Sequence, residues 1–426
     1  MKIYISGISG TGMGPLALMA KQAGIEVYGS DLNKGAIYNE LVDAGIEVAI
    51  GAQDGEFLKA KLGEGVDWFV YTSALPEDHP ELVVAKNAGV KVSKRDELTA
   101  FLVNRLGLKM IGVAGTHGKT TTTSMIVFAA LRLGLPVSYI VGTTLGFAKS
   151  GAYHTGDRYF IYEADEYDRN FLRFSPWLAV VPCVSYDHPD IYKTREEYEA
   201  AFKQFESQSE NVVTEPGVAA SRFQLAGEVR RTDAGFAFEA VKMMAEDYYS
   251  HAQMLGGSAG GVGSARRVAT DSDIIAILNE YPGVGRRFEK LAEGVYTDYA
   301  HHPEEILATL DIARDEARLK GYKGVVAVYQ PHQNIRQHEV KSGYYSAFEW
   351  ADKVYWLPTY LTREDPKLSV LMPEDLISEM MNSDIAEPAE MNDELYNELL
   401  EWLRKGYLVV LMAAGPADKW LREKIR

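Results

Sequence analysis

Short apolar runs alternate with amphipathic stretches almost from the first residue. Lys2–Ser6, Glu26–Gly29, Glu47–Ile50 and Trp68–Tyr71 read as strands, with helices over Met13–Ala23 and Asn39–Ala44. Strands that are apolar along their whole length, separated by helical stretches, predict a parallel sheet covered on both faces. A second alternating unit starts near Gly107. Its strands are Lys109–Ala114, Val137–Val141, Tyr159–Glu163 and Leu178–Val181, and its helices Thr120–Leu133 and Arg195–Gln208. Residues 209–282 carry a weaker pattern. The glycine-rich run Gly256–Gly263 reads as a loop, Asp271–Asn279 as a short helix and Tyr281-Pro282-Gly283 as a hinge. A third unit follows, with strands Gly294–Asp298, Gly324–Gln330, Lys353–Leu357 and Tyr407–Met412. Its helices are Pro303–Leu319, Tyr344–Ala351, Pro373–Met381, Asp393–Arg404 and Asp418–Ile425. The pattern predicts an α/β protein of three domains, residues 1–106, 107–282 and 283–426.

Composition narrows the function. Over 426 residues, 60 Asp+Glu against 44 Lys+Arg give a net charge of −16, which repels a nucleic-acid backbone. Any phosphate site must therefore be built locally. Cys183 is the one cysteine, so no intrachain disulfide can form. The first apolar run is broken at Gly7, too early for a signal-peptide core, and no stretch is long and apolar enough to span a bilayer. The expected location is the cytoplasm, away from membranes.

The sharpest motif is AGTHGKTTT, residues 114–122, between a strand and a helix. Glycines at Gly115 and Gly118 let backbone amides curl around phosphate oxygens, and the following helix adds its N-terminal dipole. Lys119 suits the β- and γ-phosphates, and the Thr120 hydroxyl suits Mg²⁺. The common phosphate-loop pattern would begin with glycine at Val113; here Gly112 and Gly115 stand instead, so the loop is a variant. Two other strands end in acids. One gives Glu163, Asp165 and Glu166, the other Asp187 with His188, and both suit a metal beside the phosphates. The same residues could instead cap helices or sit in solvated turns.

GISGTGMG, residues 7–14, is a second glycine turn between a strand and a helix, with Asp31 at the end of the next strand. It partly matches the dinucleotide fingerprint, in which the acid holds a ribose, but Pro15 stands where that pattern needs glycine. A nicotinamide dehydrogenase is the competing reading of this turn, and the phosphate loop argues against it. In the third unit GVGRRFE (283–289), DYAHHPEE (298–305) and QPHQNIR (330–336) gather cations and histidines near strand ends, which suggests anion handling.

Taken in order, these motifs, with EADEYDRNFL (163–172) and DHPDIY (187–192), resemble the Mur ligases, the ATP-dependent amino-acid ligases of peptidoglycan precursor synthesis. The resemblance implies a Rossmann-like UDP-sugar domain, a central P-loop ATPase domain and a Rossmann-like C-terminal amino-acid domain. It implies ATP and Mg²⁺ as cofactors, and ligation of L-alanine to UDP-N-acetylmuramate through an acyl phosphate. Alternatives are ligation of a short murein peptide to the same sugar nucleotide, and a degenerate relative that binds nucleotide without turnover. Carried over by motif, Gly10, Thr11, Gly12 and Met13, with Asp31 and Ser73, would bind the UDP-sugar. Gly115, Thr116, His117, Gly118, Lys119, Thr120, Thr121, Arg287 and Asp298 would bind ATP. Thr120, Glu163 and His188 would hold Mg²⁺. His301, His302 and Arg336 would face the amino acid. Lys119, Glu163, His188, Arg287, His302 and Arg336 would serve the chemistry. The chain departs from the family's pattern at Cys183, Ser185 and Gln333, and in a short segment before GVGRRFE that lacks the usual His-Asn pair. Monomer and homodimer remain equally open.

Overall fold

In a computed structural model, the described residues are 1–425 except 36, 73–74, 189–190, 255–268, 363 and 365–366. Ser73 and the glycine-rich run within 255–268 therefore lie outside the described residues. The chain forms two compact units, Met1–Ala219 with Asp233–Tyr281, and Ala220–Thr232 with Pro282–Arg426.

The first unit holds two sheets. One is wholly parallel: β1 (Lys2–Ser6), β2 (Glu26–Asp31), β3 (Glu47–Ile50), β4 (Trp68–Tyr71) and β5 (Lys91–Lys94), in the order β3-β2-β1-β4-β5. The order reverses beside β1, so the crevice at its carboxyl end, where GISGTGMG begins, is the ligand position of an open α/β sheet. A buried carboxylate ties this end together. Glu81 accepts the Tyr4 and Ser6 hydroxyls at 2.6 Å, the Ser30 hydroxyl at 2.8 Å and the Gln53 amide at 3.2 Å.

The other sheet contains β6 (Lys109–Val113), β7 (Val137–Ile140), β8 (Gly151–Ala152), β9 (Tyr159–Glu163), β10 (Leu178–Val180) and β11 (Asn211–Val213). Its order is β11-β10-β6-β9-β7-β8, parallel except for the β7–β8 pair. β6 lies between β9 and β10, with Val113 level with Glu163 and with Val180. This register puts both acidic strand ends beside the phosphate loop. One core cluster joins the two sheets, from Leu98, Leu102 and Val103 to Phe160, Tyr162 and Phe171.

The second unit is built on β12 (Glu289–Ala292), β13 (Val295–Asp298), β14 (Val325–Gln330), β15 (Lys353–Trp356), β16 (Ala386–Pro388) and β17 (Leu408–Ala413), in the order β12-β13-β17-β14-β15-β16. Only β12 runs antiparallel to its neighbour. β14 and β17 are buried along their whole length, as central parallel strands require. Residues 220–232 pack here as well. The amides of Gly227 and Glu228 donate to Asp315 and Asp311, and Arg231 pairs with Asp315 at 3.1 Å.

Most predicted elements match to within a residue or two. The pattern did not mark the strand Lys91–Lys94 or the helices Glu56–Gly63, Pro80–Ala88 and Arg95–Leu106, and the longest element it missed is the helix Glu228–Met254. Asp233–Phe238 of that helix are buried without interruption, so this part has no polar stripe for periodicity to reveal, and Gly235 sits in its interior. The helices Tyr344–Ala347 and Pro373–Ile377 are shorter than predicted. No described helix is long and apolar enough to cross a membrane.

Candidate active site

The phosphate loop is shaped by its neighbours. Ala114 N donates to Val180 O and Thr116 N to Cys183 O. Gly115 has φ +151, and a Cβ there would lie 2.8 Å from Cys183 O. Gly118, at φ +82, precedes the helix Lys119–Leu133, and a Cβ there would lie 2.7 Å from Asp233 Oδ1. Both positions need glycine for conformation and for space. The Thr116 hydroxyl is committed within the protein. It donates to Ser185 O at 2.6 Å, accepts from Ser185 N at 2.9 Å and meets the Tyr198 hydroxyl at 2.8 Å. Thr116 is thus held on both sides, by its side chain and by its amide, which donates to Cys183 O. Ser185, one of the departures, supplies two of those contacts.

Lys119 folds back onto the carbonyls of Gly115 and Thr116 and pairs with Glu166 at 2.9 Å. Glu166 is almost fully buried, with 1% of its side chain exposed, and also faces His188 Nε2 at 3.5 Å. Burial opposes its charge, but Lys119 and His188 outweigh burial and hold the carboxyl below its usual range. Lys119 and His188 are likewise pushed up by Glu166 against the effect of burial. Asp165 moves the other way, raised by burial and then by the charge of Glu166. Three acids, Glu163, Asp165 and Glu166, end or follow β9, and the structure singles out Glu166 as partner to both cations. The expected set contains Glu163 and His188 but not Glu166, because in sequence the three carboxylates look alike. Glu163 ends β9, level with the start of the loop.

At the first glycine turn, Asp31 accepts Ser9 N at 2.8 Å and Asn33 N at 3.4 Å, so its carboxylate braces the turn. Gly7 and Ile8 donate to Ser30 O, and Met13 begins the helix Met13–Gln22. Arg95, absent from the expected set, lies against Gly12. A cation opening a helix, where acids are preferred, is the signal that could have revealed it.

In the second unit, Asp298 accepts Phe288 N at 2.6 Å and Ala300 N at 2.7 Å, joining GVGRRFE to DYAHHPEE. Burial raises its pKa although Arg287 and the two amides oppose this. Arg286, at φ +58, donates to Ala413 O at 2.7 Å, and both Arg286 and Arg287 lie near the Tyr299 ring, at 4.5 and 5.5 Å. His301 Nδ1 is 3.0 Å from Tyr299 O and 3.2 Å from Glu305. Burial pushes His301 below its usual pKa, and Arg336 adds to that. The rings of His301 and His332 are 5.8 Å apart. His302 sits at the N-cap of the helix Pro303–Lys320. Thus His301, His332 and Arg336 gather at the carboxyl end of the third sheet, with Gln333 at φ +64 between them in sequence.

Family models match the chain in order: the Mur ligase family catalytic domain over residues 2–106, the Mur ligase middle domain over 113–250, and the Mur ligase, glutamate ligase domain over 286–415. The chain belongs to the Mur ligase family. It has the three-domain architecture of these ligases and is an ATP-dependent amide ligase. The UDP-N-acetylmuramate–L-alanine ligase of Symbiobacterium thermophilum is 31% identical over 472 residues, covering 98% of this Mur ligase and 92% of that protein. The enzyme of the same name from a Nocardioides species is 34% identical, covering 97% and 93%. Among solved structures, UDP-N-acetylmuramate–alanine ligase from Thermotoga maritima matches with TM-score 0.70 at 21% identity, covering 99% and 98%. A murein peptide ligase from Psychrobacter arcticus matches with TM-score 0.59 at 19% identity, covering 99% and 98%. At these identities the two structures speak for the fold of this Mur ligase.

Proposed function

We propose that this chain joins L-alanine to UDP-N-acetylmuramate, using ATP, as a cytoplasmic step of peptidoglycan precursor synthesis. What supports this most is likeness over nearly the whole chain, at 31% and 34% identity, to two ligases named for that reaction. In this reading residues 1–106 bind the UDP-sugar, 107–282 bind ATP and 283–426 bind the amino acid. Gly10, Thr11, Gly12, Met13 and Asp31 form the sugar-nucleotide turn. Gly115–Thr121 cradle the ATP phosphates. Arg287 serves the γ-phosphate and Asp298 the ribose, while His301, His302 and Arg336 receive the alanine.

Thr120, Glu163 and His188 are the residues that would hold Mg²⁺. The two oxygen donors fit a hard cation, since Glu163 stands level with Val113 at the end of β6 and Thr120 lies in the first turn of the helix that follows the loop. Bound there, Mg²⁺ would supply positive charge against phosphate–carboxylate repulsion. The protein's own groups account for the rest. The lactyl carboxylate attacks the γ-phosphorus and ADP leaves, giving an acyl phosphate. Lys119, oriented by Glu166, neutralises charge on the transferred group. The amine of alanine then attacks the acyl carbon, loses a proton and expels phosphate.

The test is ADP release with Mg²⁺, ATP and UDP-N-acetylmuramate, first without a nucleophile and then with L-alanine, glycine, L-serine or the murein tripeptide. Release that depends on L-alanine is expected. Dependence on the tripeptide would reassign the acceptor. Binding of ATP and UDP-sugar with no release in any arm would make the chain a nucleotide-binding relative without turnover.

A further inference from the structure

Arg95 opens the helix Arg95–Leu106, where the outward-pointing backbone N–H groups disfavour a cation. Its side chain turns onto the glycine turn after β1. A Cβ at Gly12 would lie 2.6 Å from Arg95 Nη1 and 3.7 Å from its Cδ and Cζ. Gly12 itself has φ −92° and ψ −29°, which any residue can adopt. The guanidinium takes the space that a side chain at position 12 would enter, and would have to swing aside for one.

The guanidinium is matched by charge but not by hydrogen bonds, since Asp96, Asp165 and Glu163 all attract it. Its Nε lies 3.6 Å from Asp96 Oδ1, beyond hydrogen-bond distance, and that oxygen already accepts the Tyr162 hydroxyl at 2.6 Å. The Tyr162 ring centre is 5.7 Å away, a contact that leaves the planar donors unfilled. Among the described residues Arg95 donates no hydrogen bond, although only 30% of its side chain is exposed. The amides of Thr11, Gly12 and Met13 also find no acceptor among the described residues. A fork of five N–H donors thus lies beside three unfilled backbone amides, at the switch point of a parallel sheet.

We propose that Arg95 grips the diphosphate of the UDP-sugar and holds it against the backbone of Gly10–Met13. This rests on the substrate reading above and adds to it the cation that GISGTGMG itself lacks. The diphosphate is favoured over the lactyl carboxylate because the guanidinium lies on the turn whose amides address the same anion, and its planar fork spans two phosphate oxygens. The glycine at position 12 follows from this arrangement, since any side chain there would push the guanidinium off the turn.

The test is calorimetric titration of the full chain with UDP, UDP-N-acetylmuramate and a non-hydrolysable ATP analogue, for wild type, Arg95→Ala, Arg95→Lys and Gly12→Ala. The expected result is a loss of about 10- to 100-fold in affinity for both uridine nucleotides in Arg95→Ala, and a smaller loss in Arg95→Lys, which keeps the charge without the fork. Gly12→Ala, with Arg95 intact, should lose affinity as Arg95→Ala does. The ATP analogue should bind all four proteins alike. Unchanged UDP affinity in Arg95→Ala would overturn the proposal, and so would a parallel loss of ATP-analogue binding, which marks a structural role. A loss confined to UDP-N-acetylmuramate would transfer Arg95 to the carboxylate and overturn the diphosphate assignment. Wild type that binds the ATP analogue but neither uridine nucleotide would overturn the substrate reading itself, a result distinct from failure at Arg95 alone.

Discussion

The two glycine turns of the first unit follow the first strands of their sheets and open helices, yet they are built on different terms. In the phosphate loop, Gly115 and Gly118 lie at φ +151 and +82, so the backbone itself demands glycine. The loop carries its own cation, Lys119, on the next residue, and a buried acid, Glu166, holds it. In the turn after β1, Gly7 is left-handed at φ +78 but Gly10 and Gly12 are not, and a Cβ at Gly12 would meet only the end of the Arg95 side chain. There the charge is borrowed from a helix that starts after the fifth strand. One turn is a local motif completed by packing. The other gains its neighbouring cation only when the sheet is assembled.

The largest effect should separate the two turns by function. Lys119→Ala is expected to lower ADP release at least about a thousandfold, because phosphoryl transfer is driven by positioned positive charge. UDP affinity should stay within about twofold, since no group of the first turn is touched. Wild-type ADP release by this variant would remove the loop from the chemistry. Next, Glu166→Gln keeps the shape but releases Lys119 and His188 from their shared anion. A fall of about 10- to 100-fold in kcat, with a smaller change in the KM for ATP, is expected from steady-state rates. A change in KM alone would show that Glu166 serves binding.

A third experiment compares the glycines directly by thermal or denaturant unfolding. Gly118→Ala places an alanine at φ +82 and against Asp233, so a cost of about 1–3 kcal/mol is expected. Gly10→Ala meets only Gly7 O, at 3.3 Å, in an ordinary conformation, and should cost less than about 1 kcal/mol. Equal costs would show that the left-handed backbone at Gly118 is not what demands glycine there.

A last experiment concerns what anchors the second sheet. Asp247, on the helix Glu228–Met254, accepts hydrogen bonds from Lys109, Tyr159 at 2.7 Å and Arg158 at 3.0 Å. Burial works against its charge, but these bonds hold its pKa at about 2, below the ordinary 3.8. The stabilisation is complete above pH 3.8 and is lost as the pH falls through about 2. Asp247→Asn should therefore lower stability at neutral pH by up to about 2 kcal/mol and flatten the acid limb of the stability profile. An unchanged acid limb would show that other carboxylates govern it.

The sequence alone determined the alternation of strands and helices, the parallel sheets and the phosphate loop. Each depends on residues close together in the chain, where hydrophobic period, glycine and helix start act on the local backbone. Lys119 was legible for the same reason. The chain's order could not say which of Glu163, Asp165 and Glu166 would face Lys119, nor that one helix would run unbroken over Glu228–Met254 through Gly235. It could not bring Arg95 onto Gly12. Those outcomes were decided by the sheet order, which sets β9 and β10 beside β6 and places the helix after β5 against the turn after β1. Local geometry follows from neighbouring residues, whereas the pairing of charges across the fold exists only once the strands have taken their places.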